Sequence, residues 1–310
     1  MQTIKLNNGV EMPDIGFGTW KAPESDVTTR AVEAALQSGH RLIDCAAVYG
    51  NEKEVGRGLI GSGVPRQDIF LVSKLWNSVR GYKETRQAFE NSCRDLQTDY
   101  LDLYLIHWPR PFRFHDDYIE QNRASWRAME DLVQEGRIRA IGVSNFKEHH
   151  LRELMEDARI LPAVNQIEFH PSCLQEDIRS FCAEQHIVVQ GYSTLANGQV
   201  FHCEELLAIS REQNISLSRL CTQYARQRGV VPLVKSVDPA RIRENLQLDF
   251  CLSPAVLEQI DRVTGCAGSG NDSDTISFSW SKLPDKNPPG CPAGFYMGKM
   301  LNFFLPFIAF

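Results

Sequence analysis

Four ionisable side chains, Asp44, Tyr49, Lys74 and His107, stand at or just beyond the ends of apolar runs, where packing has no need of charge. Asp44 closes the run RLID, with Tyr49 five residues further on; Lys74 follows IFLVS, and His107 closes LDLYLIH. Together these residue types suit one chemistry. A carbonyl that accepts hydride develops negative charge on its oxygen, and that oxygen must then take a proton. A phenol can supply it, but a free phenol has a pKa of about 10 and is a weak acid near neutrality. A neighbouring ammonium stabilises the phenolate and so lowers that value. Asp44 can pair with Lys74 and keep it charged and in place. His107 can donate a hydrogen bond that aims the substrate oxygen. Singly, each residue has a plainer reading: Asp44 as a helix cap or turn former, His107 as a satisfied structural group, Tyr49 as packing, Lys74 as a solvated charge. Their convergence on adjacent strand ends favours the catalytic set.

That convergence depends on the elements beneath it. Thr3–Pro13 reads as two short extended runs around Asn7-Asn8-Gly9, a hairpin signal. Eight apolar runs then alternate with helix-length amphipathic stretches: Ile15–Gly18, Arg41–Cys45, Ile69–Lys74, Leu101–His107, Ala140–Ser144, Val164–Glu168, Val188–Tyr192 and Val231–Lys235. Most are near-continuous, as parallel strands covered on both faces require. Between them lie helices of clear period: Trp126, Met129, Leu132 and Val133 share one face, and Gly136 follows as a stop. Eight βα units over roughly 250 residues predict an α/β fold, a (β/α)8 TIM barrel with an N-terminal β-hairpin, with chemistry at the C-terminal strand ends. The rival is a doubly wound dinucleotide-binding fold. Gly56-Arg57-Gly58-Leu59-Ile60-Gly61 matches its GxGxxG literally, but it follows helical Glu52–Val55 rather than a strand. It reads instead as a frayed helix end leading into a turn.

The 310 residues carry a formal net charge of −6, which argues against broad nucleic-acid binding. The N-terminus has no basic-then-apolar leader pattern, and the nine cysteines are scattered with no CxxC. Free thiols in a reducing, cytoplasmic setting are expected, with no metal site. Residues 1–264 are read as the barrel and 265–310 as an irregular C-terminal extension. The final FYMGKMLNFFLPFIAF is strongly apolar, but Lys299 leaves eleven residues after it, too few for a membrane span. It is expected to fold back on the barrel, with membrane-surface attachment or an interaction patch as alternatives.

Three motifs carry a resemblance. Gly39-His40-Arg41-Leu42-Ile43-Asp44-Cys45-Ala46 with Tyr49-Gly50-Asn51-Glu52 resembles the first signature of the aldo-keto reductases. Ile141-Gly142-Val143-Ser144-Asn145-Phe146 resembles their second, and Leu233-Val234-Lys235-Ser236 with Arg241, Glu244 and Asn245 their third. The likeness runs from about Ile4 to Val263. It implies NADPH-dependent reduction of a small carbonyl substrate, and it puts Asp44, Tyr49, Lys74 and His107 on the family's catalytic tetrad. Retention of His107 favours carbonyl over steroid double-bond reduction. Lys235, Ser236 and Arg241 would meet the 2′-phosphate of NADPH, Glu244 and Asn245 the adenine side. Without the resemblance, Lys235 and Arg241 would read as a solvated basic helix start. Ser144, Asn145 and Gln166 suit a nicotinamide carboxamide, and Tyr192 would stack on its ring. Ser193 and Leu195 stand in the loop that family members fold over the pyrophosphate, although Thr194 replaces the usual Pro there and Ala196-Asn197 the usual Gly-Ser. Trp20, Trp76 and Trp108, with Phe112 and Phe114, would wall a pocket for small or medium aldehydes and ketones. A monomer or weak oligomer is expected. The alternatives are a non-catalytic NADPH-binding partner protein, which would not need Tyr49 and Lys74 together, and NAD(P)-linked alcohol oxidation.

Overall fold

The computed structural model describes residues 2–275. Strand β1 (Thr3–Lys5) pairs antiparallel with β2 (Glu11–Pro13), and Gly9 takes the turn at φ +88°. The tip is tied down: Asn7 and Asn8 donate through Nδ2 to the carbonyls of Pro162 and Arg139, each at 2.9 Å. Leu6 and Met12 are buried in one cluster with Leu42, Val72, Leu103, Leu105, Val164 and Val231. At about 1.5–3 kcal/mol for each fully buried side chain, these two anchor the hairpin as a floor.

Strands β3 (Gly16–Gly18), β4 (Leu42–Asp44), β5 (Phe70–Leu75), β6 (Leu101–Ile106), β7 (Ile138–Ser144), β8 (Val164–Glu168), β9 (Val188–Tyr192) and β10 (Val230–Val234) form a closed parallel barrel, with β10 pairing back to β3. Every residue of β5, β6, β8 and β10 is buried, which is why β10 and most of β5 and β6 are apolar without alternation, whereas β8 buries Asn165, Gln166 and Glu168 with hydrogen-bond partners. Helices α1 (Asp26–Gln37), α2 (Glu52–Gly61), α3 (Tyr82–Leu96), α4 (Tyr118–Gln134), α5 (Glu148–Met155), α6 (Glu176–Glu184), α7 (Glu204–Gln213), α8 (Leu217–Gln227), α9 (Pro239–Glu244) and α10 (Pro254–Asp261) complete the fold. Trp126, Met129 and Leu132 of α4 are all buried in the main core cluster.

The stretch Gly56–Gly61 departs from expectation. It is no frayed end: all of it belongs to α2. A Cβ on Gly56 would lie 2.8 Å from the Asp95 carbonyl oxygen, and one on Gly58 2.7 Å from Val32 Cβ. The glycines let α2 press against α3 and α1, so their spacing records helix packing and not a phosphate loop.

The start of the C-terminal extension is irregular but stapled across the loops after β7 and β8. Ser269 donates to Glu168 from its backbone N–H at 2.9 Å and from Oγ at 2.5 Å. Lys147 Nζ reaches Asp272 at 2.8 Å and Asp274 at 2.7 Å. The apolar end of the extension, and its expected packing on the barrel, lies outside the described residues. Among the described residues no helix is long and apolar enough to cross a membrane, and eight cysteines are free thiols.

Candidate active site

The turn that carries Tyr49 is clasped from both sides. Residues Ala47–Tyr49 form one 3-10 turn, released by Gly50 at φ +71°. The next two side chains are buried fasteners. Asn51 Nδ2 donates to the carbonyls of Thr19 at 3.0 Å and Ala22 at 3.1 Å, tying this loop to the one after β3. Glu52 accepts from Ser73 Oγ at 2.6 Å and Ser92 Oγ at 3.2 Å, tying α2 to β5 and α3. Burial pushes the Glu52 carboxyl up to about 7 despite those two bonds.

Under Tyr49, the Lys74 side chain is fully enclosed. Its Nζ lies 2.8 Å from both Asp44 oxygens, 2.9 Å from the Cys45 carbonyl and 3.2 Å from Tyr49 Oη. Burial works against the ammonium, but Asp44 and Tyr49 outweigh it and hold its pKa above the ordinary lysine value. The balance at Tyr49 runs the other way from the sequence expectation. Lys74 does pull the phenol down, yet burial prevails and pushes it up to about 12. His107 closes the set, with its ring 6.0 Å from that of Tyr49 and edge-on. Burial, then the charges of Lys74 and Arg80, hold the imidazole well below its usual range, so it is neutral. Its Nδ1 is buried without a hydrogen-bond partner among the described residues. The arrangement offers a protonated phenol backed by a fixed cation, beside a neutral imidazole.

Ser144, Asn145, Gln166 and Tyr192 converge next to this set, but they are already bonded to one another. Ser144 Oγ donates to the Gln166 carbonyl at 2.7 Å. Asn145, at φ +63°, gives its amide hydrogens to the His107 carbonyl and to Ser144 Oγ, each at 3.0 Å, and its Oδ1 accepts from Tyr192 at 2.7 Å. Gln166 Nε2 donates to Asp44 at 2.8 Å and to Gln190 Oε1 at 2.9 Å. Both Gln166 amide hydrogens are therefore committed, and its side chain has an acceptor oxygen left for a ligand. Gln190, fully buried, drew no attention in the sequence: it sits mid-strand, and a lone glutamine carries no spacing signal.

The tryptophans fare unequally. Trp76 meets the His107 ring edge-on at 5.1 Å, and Trp108 is buried directly after it. Trp20 is 45% exposed, with Lys21 Nζ 4.3 Å above its ring. Lys21 was missed in the sequence, where one lysine after a tryptophan looks like any surface charge. It lies near Lys235, which is exposed as a residue but crowded by protein on one side, so that partial desolvation and then the Lys21 charge lower its pKa. Lys235 and Arg241 are exposed at the end of β10 and on α9, and Ser236 bonds Asp238 at the start of that helix. None of Lys21, Lys235 and Arg241 forms an ion pair with a carboxylate among the described residues. Glu244 and Asn245 accept from Ser216 at 2.5 Å and Ser218 at 2.7 Å, which ties α9 to the start of α8. Ser193 (φ +55°) and Leu195 are half-buried in the tight turns after β9. His149, His150 and Asp274 also cluster. His150 Nδ1 accepts the Lys147 backbone N–H at 3.2 Å, so its ring proton sits on Nε2 and no lone pair faces the cluster for a metal.

The barrel and the chain that builds it match known proteins over most of their length. The model of the aldo/keto reductase family fits residues 14–264. The chain belongs to the aldo-keto reductase family. A glyoxal reductase of Bacillus subtilis is 44% identical over 277 residues, covering 89% of this chain and 98% of its own. Among solved structures, an aldo-keto reductase from a Medee basin deep-sea metagenome library superposes with a TM-score of 0.83 at 36% identity, over 89% of this chain and all of its own. A Bombyx mori aldo-keto reductase in complex with NADP gives a TM-score of 0.76 at 33% identity, over 84% of this chain and 92% of its own. Family membership places this chain among the oxidoreductases.

Proposed function

We propose that this aldo-keto reductase reduces small aldehydes and ketones to alcohols, with NADPH as reductant and Tyr49 as the general acid. The observation that carries the reading is the hydrogen-bonded line Asp44–Lys74–Tyr49 beside a neutral His107. Bound NADPH would supply the hydride. The residues present fit such a cofactor: Lys21, Lys235 and Arg241 are cations without carboxylate partners among the described residues, and the open positions on Gln166 and Asn145 are acceptors suited to a carboxamide NH2.

His107 orients the carbonyl oxygen by a hydrogen bond from its neutral ring. Tyr49 then gives its proton to the developing alkoxide. A phenol raised to about 12 remains competent, because an alkoxide is a far stronger base than the phenolate left behind. Lys74 is 3.2 Å from Tyr49 Oη and stabilises that phenolate as it forms; Asp44 holds the ammonium still. Trp76 and Trp108 make the apolar wall that excludes water, and the 44% identical glyoxal reductase supports small dicarbonyls among the substrates.

NADPH consumption over a panel of aldehydes, with wild type against Tyr49→Phe, tests this directly. Turnover in wild type and its loss in the variant is expected. Full activity in Tyr49→Phe would remove Tyr49 as the acid, and NADPH binding without turnover in wild type would favour a purely binding role.

A further inference from the structure

Between β5 and α3 lies an arginine that the catalytic reading leaves unused. Arg80 is 3% exposed, and no carboxylate pairs with it among the described residues. Burial without a counter-charge lowers its pKa to about 9. A cation in such a place is costly unless its donors are satisfied, and here they are satisfied by main-chain oxygens. Nη1 donates to the carbonyls of Trp76 at 2.9 Å and Val79 at 2.7 Å. Nη2 donates to the carbonyl of Trp108 at 2.6 Å. Nε donates to Asn122 Oδ1 at 3.1 Å, and Asn122, buried on α4, donates in turn to the Pro109 carbonyl at 2.8 Å. One planar fork thus binds the loop after β5 to the loop after β6, and α4 backs the joint.

We infer that Arg80 is a specificity-determining positioning residue, which sets the spacing of Trp76 and Trp108 beside His107 and so the width of the slot that admits the substrate. The inference rests on the carbonyl-reduction reading of that site. The geometry favours a clamp over a loose contact, because the guanidinium grips the backbone of both tryptophans and cannot follow one loop without dragging the other. Lysine could not take its place: an ammonium is a point donor on a flexible stem, and it cannot hold three carbonyls in one plane. With the fork removed, the two loops part and the slot accepts wider molecules.

The test compares kcat/KM for glyoxal and for 2-naphthaldehyde in wild type, Arg80→Met, Arg80→Lys and Asn122→Leu. In Arg80→Met, selectivity should move about tenfold toward naphthaldehyde, within the range that pocket fit alone commands. The shift should lie in KM, with kcat for glyoxal held within about twofold, as expected when binding and not chemistry is changed. Arg80→Lys should restore only part of the selectivity, and Asn122→Leu should show a smaller shift in the same direction. A ratio that stays put or moves toward glyoxal overturns the inference, and so does an equal fall in kcat for both substrates. If Arg80→Met does not fold, the other two variants decide. Acrylamide quenching of tryptophan fluorescence gives a readout independent of turnover. It should rise in the variants as the clamp is lost, and unchanged quenching overturns the inference even if wild type reduces neither aldehyde, a result that would separately sink the proposed function.

Discussion

The tetrad and the cationic seam at the end of β10 lie on one barrel yet are built on opposite terms. At the tetrad every charge has its partner before any ligand arrives: Lys74 is enclosed, bonded to Asp44, Cys45 and Tyr49, and Asp44 is further held by Gln166. At the seam, Lys235 and Arg241 are exposed, and Lys21 lies near Lys235 with no carboxylate paired to either among the described residues. A centre that must transfer a proton in a fixed direction gains from rigid, dry pre-assembly. A centre that must capture and release a charged ligand gains from cations left in water, whose attraction appears when the anion comes.

Breaking the first region should cost most. Tyr49→Phe should lower kcat by about 10²–10⁴-fold or more while NADPH affinity, followed by fluorescence titration, changes little. An equal loss of affinity would show that the two regions are not separable. Next comes Lys74→Met, which strands Asp44 without its counter-ion. Urea denaturation should show a loss of about 3–5 kcal/mol, the usual result of orphaning half of a buried pair, together with loss of turnover. At the seam, Arg241→Ala should weaken NADPH binding about tenfold or more, the scale of one charge-assisted contact, with kcat at saturation unchanged. NADH binding should move less, and the salt dependence of NADPH binding should become shallower. The smallest effect is a predicted absence of one. Tyr49 is raised to about 12, so it keeps its proton through mild alkali; His107 is held below its usual range, so it stays neutral through mild acid. Saturated reduction should therefore be flat from about pH 6 to pH 9, and an alkaline limb within that span would place the Tyr49 pKa far lower than burial implies.

The same contrast marks what could be read from the residues in order. All eight barrel strands were legible, most of them because parallel strands buried on both faces are apolar runs; Val231–Lys235 differs from β10 by one residue at each end. β7 began two residues early, since exposed Arg139 hides its first turn into the barrel. The tetrad was legible as charge at apolar strand ends. What escaped notice depends on distant partners. Gln190 matters through Gln166, Lys21 through Lys235, and Arg80 through carbonyls, which have no sequence identity at all. Ser269 on Glu168 spans 101 residues, and no local pattern announces such a pair. The glycines of α2 are set apart from a phosphate turn by the helix before them, but their packing role was not legible, because a close helix contact and a phosphate turn ask the same thing of a residue, the absence of a side chain.

The hairpin floor has its own consequence. Leu6 and Met12 pack against the filled barrel core at one end, so reactants can reach the strand-end site only from the opposite face. Traffic through one mouth becomes a queue. On the proposed reading, whichever reactant settles deeper would arrive first and leave last, and a proton given up by Tyr49 would be replaced from the same face by which the product departs.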